Sequence, residues 1–372
     1  MSVKEVMIVA GEPSGDMHAA AMVEALRVRR PELRLVGVGG GRLASQGVEL
    51  LERAERIAVI GFVEVIRHLP ILRRLMAALR ARMDAGHVKL VILIDYPGFN
   101  MRVAREAKRR GIPVLYYITP QVWAWHKSRV RAIRETVAKA AVILPFEEQL
   151  LRDAGIDATF VGSPLIDATQ SLPSREAACA ALGLNPARPV LSLFPGSRAG
   201  EIGRHLVDFV ATAQAVLRAC PDVQVIVSAP PTVQIDAAIC PFPVVRDSSH
   251  MVFRASTAAM CKSGTTTLES ALCGCPLVVA YRTSALTYAI ARRLVTLPNI
   301  ALVNIVADRR VAPEFIQDEL RADRVVPALL PLLDVTSPER AAMIESLIEV
   351  RRLMGEPGAA VRVATMVDEL VA

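Results

Sequence analysis

Along the chain, short apolar runs alternate with longer stretches in which apolar positions recur every three or four residues. The runs, bounded by Gly, Pro, Asn or Asp, predict buried strands, and the longer stretches predict amphipathic helices. In the first half, strands are expected at Val6–Gly11, Arg34–Gly39, Lys89–Asp95, Pro113–Ile118, Ala141–Pro145 and Ala158–Val161. Helical patterns fill the gaps, as at Met17–Arg30 and Met101–Arg110. A turn-rich stretch from Gly162 to Ser174 then breaks the alternation and reads as a linker. A second series follows at Pro189–Phe194, Val223–Ala229, Ala258–Lys262 and Pro276–Tyr281. The tail from Ser337 reads as helices broken between Gly355 and Gly358, with a closing helix from Ala359.

Such alternation builds sheets of mostly parallel strands. The expected fold class is α/β, with two doubly wound Rossmann-like domains, 1–165 and 166–356, facing an interdomain cleft. Residues 357–372 are expected to pack back on the first domain or to swap into a partner. Ligands of open α/β sheets bind beyond the carboxyl ends of the strands, so chemistry is sought there.

Composition narrows the class. Of 372 residues, 52% are hydrophobic and 22% charged, which excludes a disordered chain. No apolar run reaches the ~18 residues of a membrane span, and no signal-peptide pattern opens the chain, so a cytoplasmic protein is expected. The six cysteines lie in the second half without zinc-ligand spacing and are expected as buried, reduced thiols. A net charge of +7 suits an anionic partner: nucleic acid, anionic lipid or a phosphorylated metabolite.

Five segments carry candidate chemistry. Gly11-Glu-Pro-Ser-Gly-Asp16 follows the first strand but lacks the lysine of a phosphate-binding loop. In it Gly11 and Gly15 suit a tight turn, and Ser14 or Asp16 suits a cap for the helix that follows. Asp95 ends a strand and is either a general base or, with Asn100, an ordinary turn residue. Trp123 and Trp125 cluster near Gln121 and His126 in a chain with only 4% aromatic residues, either stacking on a sugar, contacting an acyl chain or filling core. Arg198, after Pro195-Gly-Ser197, suits phosphate or is a surface arginine on a turn. Lys262-Ser263-Gly264-Thr265 opens a helix, with Ser263 or Thr265 as diphosphate ligand or N-cap, and Glu269 in reach of ribose hydroxyls. The match Gly39-x-Gly41-x-x-Ala44 follows the second strand and supports a dinucleotide site only weakly.

A sixth segment is of another kind. Ile57–Ile66 is apolar apart from Glu64, and a helix from Ile71 to Met83 gathers Leu72, Leu75 and Met76 on one face, with Arg73, Arg74, Arg80 and Arg82 elsewhere. It is either a helix lying on an anionic bilayer or a domain helix whose apolar face is core. Ile60, Phe62, Val63, Ile66, Leu69, Leu72, Arg73, Leu75 and Met76 are the residues expected at membrane or acyl chain.

Seven blocks in order, GEPSGD, DYPGFN, TPQVWAW, LPFE, FPGSRAGEI, SGTTTLE and VNIVADRRVAPEFIQ, give the chain a resemblance to lipid-A-disaccharide synthases from Val9 to about Gln317. The resemblance implies a GT-B glycosyltransferase fold. It implies inverting transfer of 2,3-diacylglucosamine from UDP to the 6-hydroxyl of 2,3-diacylglucosamine 1-phosphate (lipid X), giving a β(1→6) disaccharide 1-phosphate. It further implies peripheral binding to the anionic inner face of the cytoplasmic membrane, no metal or other cofactor and no nucleic acid; a homodimer through the closing helix is also expected. Carried over, Asp95 is the general base, with Asp16 as runner-up. Ser197, Arg198, Lys262, Ser263, Gly264, Thr265, Glu269, Asn304, Glu314 and Gln317 are expected at UDP. Gly11, Glu12, Ser14, Gly15, Asn100, Gln121, Trp123 and Trp125 are expected on the acceptor side. The alternative is another GT-B enzyme acting on a soluble UDP-sugar, such as an epimerase or a peptidoglycan-type transferase.

Overall fold

The computed structural model describes residues 4–57, 62–121, 127–246, 248–285, 287–288 and 298–371; for 62–68 and 127–128 the backbone alone is described. Two compact units emerge, one of Met1–Pro164 with Glu356–Ala372, the other of Leu165–Gly355.

The first unit holds seven parallel strands: β1 (Glu5–Ala10), β2 (Arg34–Gly39), β3 (Glu49–Arg53), β4 (Val88–Ile94), β5 (Val114–Tyr117), β6 (Lys139–Val142) and β7 (Ala158–Phe160). Their order is β3-β2-β1-β4-β5-β6-β7. The uninterrupted apolar runs exist because both faces are covered. Met7, Val9, Val91 and Leu93 join one core with Leu75, Leu79 and Ile133 from helices on that side. Val6, Ile8, Leu90 and Ile92 point the other way, into a core with Met22, Val23 and Leu26 of the helix Pro13–Arg29. The final helix, Ala359–Val371, completes that second core through Val363, Val367 and Val371. Lys4 donates to the Val371 carbonyl at 2.9 Å, and Asp368 pairs with Arg29 and Arg30. At the β1–β2 contact a side chain is excluded, since a Cβ on Gly37 would fall 1.8 Å from the Ile8 carbonyl oxygen.

The second unit holds β8 (Val190–Phe194), β9 (Gln224–Ser228), β10 (Val244–Val245), β11 (Ala258–Lys262), β12 (Leu277–Tyr281) and β13 (Glu314–Ile316), all parallel and ordered β10-β9-β8-β11-β12-β13. The cysteines are free thiols, five buried and Cys220 half-buried.

Three strands escape the apolar-run reading. β3 is Glu-Leu-Leu-Glu-Arg on an edge, where charge is tolerated, and β10 and β13 have two and three residues. β6 begins two residues before the expected Ala141 and stops at Val142, short of the expected Pro145, because Pro145 instead opens the helix Pro145–Asp153.

The basic segment requires a larger correction. One helix runs Phe62–Asp84 with Pro70 inside it. Leu75 and Met76 are core residues, as are Leu79 and Met83, and Leu72 packs half-buried against them. Arg80 pairs with Glu106, and Arg82 with Glu5 at 2.8 Å and Glu49 at 3.2 Å. The apolar face from Leu75 onward is therefore internal, while Arg73 and Arg74 are exposed and Leu69 half-buried. Ile60 and the side chains of Phe62, Val63 and Ile66 lie outside the described residues. No described helix is long and apolar enough to cross a membrane.

Candidate functional site

In the first unit, the carboxyl ends of β1 and β4 carry a strained turn. Asp95 and Tyr96 both have left-handed backbones, φ 46° and 47°, a conformation that costs a side-chain-bearing residue roughly 1–2 kcal/mol. Two flanking hydrogen bonds fix it. Asn100 Nδ2 donates to the Asp95 carbonyl at 2.8 Å and reaches those of Ile94 and Val9 at 3.2 and 3.3 Å. The Tyr116 hydroxyl donates to the same Asp95 carbonyl at 2.8 Å. Asn100 is fully buried, so it holds the turn and does not face the acceptor. The Asp95 side chain is half-buried. Strain of this kind gathers where a fold holds a reacting group in one place.

The Gly11–Asp16 segment packs against that turn. The Tyr96 ring lies over Gly11, where a Cβ would meet its Cδ1 at 2.4 Å, and the Tyr96 hydroxyl donates to the Ile57 carbonyl at 3.0 Å. Burial first, and the Glu12 carboxylate second, raise the Tyr96 hydroxyl above its usual pKa. Neither Gly11 nor Gly15 has a positive φ. Gly11 makes room for an aromatic ring, and Gly15 lies within a helix that starts at Pro13, earlier than the pattern suggested. That helix has no side-chain cap.

Asp16 serves a different helix. Its carboxylate, 5% exposed, accepts from the N–H groups of Gly40, Leu43 and Arg42 at 2.6, 3.1 and 3.1 Å, at the start of the helix Gly41–Ser45. With both oxygens engaged it is a structural cap, which removes it as runner-up base. Glu12 is half-buried, and Ser14 and Gln121 are exposed. Trp123, Trp125 and His126 lie outside the described residues.

His18, two residues beyond Asp16, was not singled out by sequence. It is half-buried with its ring edge-on to Tyr117 at 6.4 Å, and burial lowers its pKa from 6.5 to about 4. Between those values the unfolded chain binds more protons, so this contribution to stability is complete above pH 6.5 and is lost as pH falls toward 4. In thermal melts, His18→Gln should flatten the fall of Tm with pH across that window; an unchanged slope would count against it.

In the second unit, the loops after β8, β11 and β12 stand side by side because those strands are neighbours. Arg198 is exposed at the N-cap of the helix Ala199–Ala219. Lys262, at the end of β11, donates to Glu201 at 2.9 Å. Glu201 also accepts the Ser197 N–H at 3.0 Å. Burial pushes its carboxyl up, but the Lys262 and Ser197 hydrogen bonds and the charges of Lys262 and Arg198 outweigh this and hold it below the usual value. Gly264 has φ 153°. Neither Ser263 nor Thr265 caps the helix Thr266–Leu272; the Ser263 hydroxyl donates to the Ile300 carbonyl at 2.9 Å, and Thr265 is exposed. Glu269 accepts from the Ser249 hydroxyl at 2.6 Å and lies 3.8 Å from His250.

Three residues expected at UDP hold loops instead. Glu314, 4% exposed, accepts from the N–H groups of Ile300 and Ala301 and from Asn304 Nδ2, the closest at 2.8 Å. Asn304, fully buried, also donates to the Ala312 carbonyl and accepts from the N–H groups of Val311 and Ala312, each at 2.8 Å. Gln317 brackets Thr283, accepting its N–H at 2.7 Å and donating to its carbonyl at 3.1 Å. A buried histidine joins the loops. His205 Nε2 accepts the Arg282 N–H at 2.9 Å, so the proton is on Nδ1, which donates to the Glu201 carbonyl at 2.8 Å. Burial chiefly lowers its pKa. Glu201 lay within the FPGSRAGEI block without a role assigned to it, and no sequence signal pointed to His205 or Ser249; their partners lie four to 77 positions away.

Residues 6–353 match the family described as Lipid-A-disaccharide synthetase. A lipid-A-disaccharide synthase of Syntrophus aciditrophicus is 43% identical over 379 residues, covering 100% of this chain and 99% of the relative. One from Myxococcus xanthus is 40% identical over 373 residues, covering 98% and 97%. Among solved structures, a UDP-N-acetylglucosamine 2-epimerase from Neisseria meningitidis bound to UDP-GlcNAc matches with TM-score 0.64 at 10% identity, over 99% of this chain and 100% of that one. A Medicago truncatula protein complexed with UDP-glucose matches with TM-score 0.65 at 14% identity, over 100% and 99%. At such identities the likeness shows the fold alone, which is that of the GT-B enzymes.

Proposed function

The chain belongs to the lipid-A-disaccharide synthetase family, glycosyltransferases of lipid A biosynthesis, and on that premise we propose its substrates and the residues that act on them. The donor is UDP-2,3-diacylglucosamine, the acceptor is 2,3-diacylglucosamine 1-phosphate, and the new bond is β(1→6). The observation that carries this reading is identity of about 40% sustained from end to end. Likeness to the epimerase structures goes no higher than 13% identity and stops at the fold, so action on a soluble UDP-sugar is not favoured.

In this reading the first unit supplies the base. Asp95 takes the proton from the acceptor 6-hydroxyl while that oxygen attacks the anomeric carbon and the bond to UDP breaks. The left-handed turn fixes the carboxylate before substrate arrives, so orientation is not lost to entropy at the reacting moment. The second unit receives UDP: Arg198 and Lys262 meet the charge that grows on the diphosphate, and Glu269 takes the ribose hydroxyls. Charge stabilisation comes from these side chains, without a metal ion. Glu314, Asn304 and Gln317 act through the loops they hold.

Peripheral binding to an anionic membrane is part of the proposal, supported by the exposed Arg73 and Arg74, which follow the apolar sequence Ile57–Ile66 along the chain. One assay tests both parts. The two substrates, presented in phosphatidylglycerol vesicles, should yield by mass spectrometry a product equal to their sum less UDP, at a rate that falls with salt. No such product would overturn the reaction, and a salt-independent rate would overturn the membrane part.

A further inference from the structure

The Glu201 carboxylate sits where an external anion would sit. Its Oε2 accepts the Ser197 N–H at 3.0 Å and lies 3.4 Å from the Ser197 hydroxyl. Its Oε1 accepts from Lys262 Nζ at 2.9 Å and lies 3.9 Å from Arg198 Nη1. A backbone N–H, a hydroxyl, an ammonium and a guanidinium form the donor set that proteins turn toward phosphate oxygens. Gly196, with φ 147°, leaves the space: a Cβ there would fall 2.6 Å from Glu201 Cβ and 2.9 Å from Oε2. Lys262 comes from β11 and the other donors from the loop after β8, so one carboxylate ties two loops together.

We propose that Glu201 is a surrogate anion: it holds Ser197, Arg198 and Lys262 in register while the site is empty and yields them to the diphosphate of UDP. The inference rests on reading these loops as the diphosphate site, and adds to that reading a residue that opposes binding. With Glu201 in place the two cations present one net positive charge; with it turned away they present two. Its backbone carbonyl is anchored by His205, so the side chain can swing while the main chain stays. When UDP is to leave, the returning carboxylate competes for the same donors. Glu201 is thus a positioning residue that keeps the empty site ordered and limits how tightly product is held.

Calorimetric titration of UDP and of uridine into the full-length protein separates the outcomes. Glu201→Gln removes the charge at constant size and should lower the Kd for UDP about tenfold, leaving uridine, which has no phosphate, within about twofold. In a Lys262→Gln background the same substitution should gain no more than about twofold, because the competed cation is gone. Unchanged or weaker UDP binding in a folded Glu201→Gln protein would overturn the proposal. Should that variant fail to fold, Glu201→Asp, which keeps the charge but withdraws it from Lys262, must show the same direction at about threefold. Arg198→Ala is the control for the underlying reading. If it leaves UDP binding intact, the diphosphate assignment fails and the inference with it. If it weakens binding while neither Glu201 variant tightens it, the inference alone fails.

Discussion

Asp95→Asn should lower the rate of sugar transfer about 10²–10⁴-fold, the range a positioned general base supplies, while the Kd for UDP stays nearly unchanged. Asparagine isolates the chemistry because, like aspartate, it tolerates the left-handed conformation seen at φ 46°. The Asn100 and Tyr116 hydrogen bonds go to the backbone carbonyl of residue 95 and survive the exchange. Asp95→Ala would confound loss of the base with strain in the turn. The decisive readout is kcat in the product assay beside calorimetric UDP binding. Full activity in Asp95→Asn would remove Asp95 from the role. Loss of UDP binding in step with activity would show that the turn acts on the donor as well.

The second large effect concerns a residue that touches no substrate in the proposed mechanism. Glu314→Ala leaves the Ile300 and Ala301 N–H groups and one of the two Asn304 Nδ2 hydrogens without an acceptor in a buried setting. At about 1–3 kcal/mol for each group so stranded, partly relieved by relaxation, a loss of about 3–5 kcal/mol in the second unit is expected. The loop released includes Ile300, whose carbonyl holds the Ser263 hydroxyl, so UDP binding should weaken as well. Chemical denaturation distinguishes this from a direct contact. A ligand contact would lose affinity at constant stability, whereas the loop-holding role requires the midpoint to fall with UDP absent.

The architecture was legible because parallel strands covered on both faces must be apolar away from their ends, and β1, β2, β4 and β11 each carry a single charged residue, at or next to an end. β3 was not, because an edge strand can carry Glu49, Glu52 and Arg53. At the strand ends, sequence located the loops but confused two kinds of polar residue within them. Asp95 and Lys262 are half-buried and Arg198 is exposed, whereas Asn100, Asn304 and Glu314 are turned inward to satisfy backbone groups. The same residue types in the same motifs serve both ends. What separates them is burial and the direction of the side chain, which follow from packing between distant segments. Glu201 and Lys262, 61 residues apart, were never read as a pair for the same reason.

The place of Ala359–Val371 also bears on how the chain comes to be folded. The second unit is continuous, so it can close while its C-terminal neighbour is still inside the ribosome. The first unit cannot: the core on one face of its sheet, with Ile8, Ile92 and Leu115, is completed by Val363, Val367 and Val371, which follow the whole second unit along the chain. The nascent chain therefore carries an incompletely covered apolar face until the whole second unit has been made, a natural point of capture for a chaperone. It also means that a ribosome stalling before Ala359 releases a protein whose second unit is complete and whose first is not.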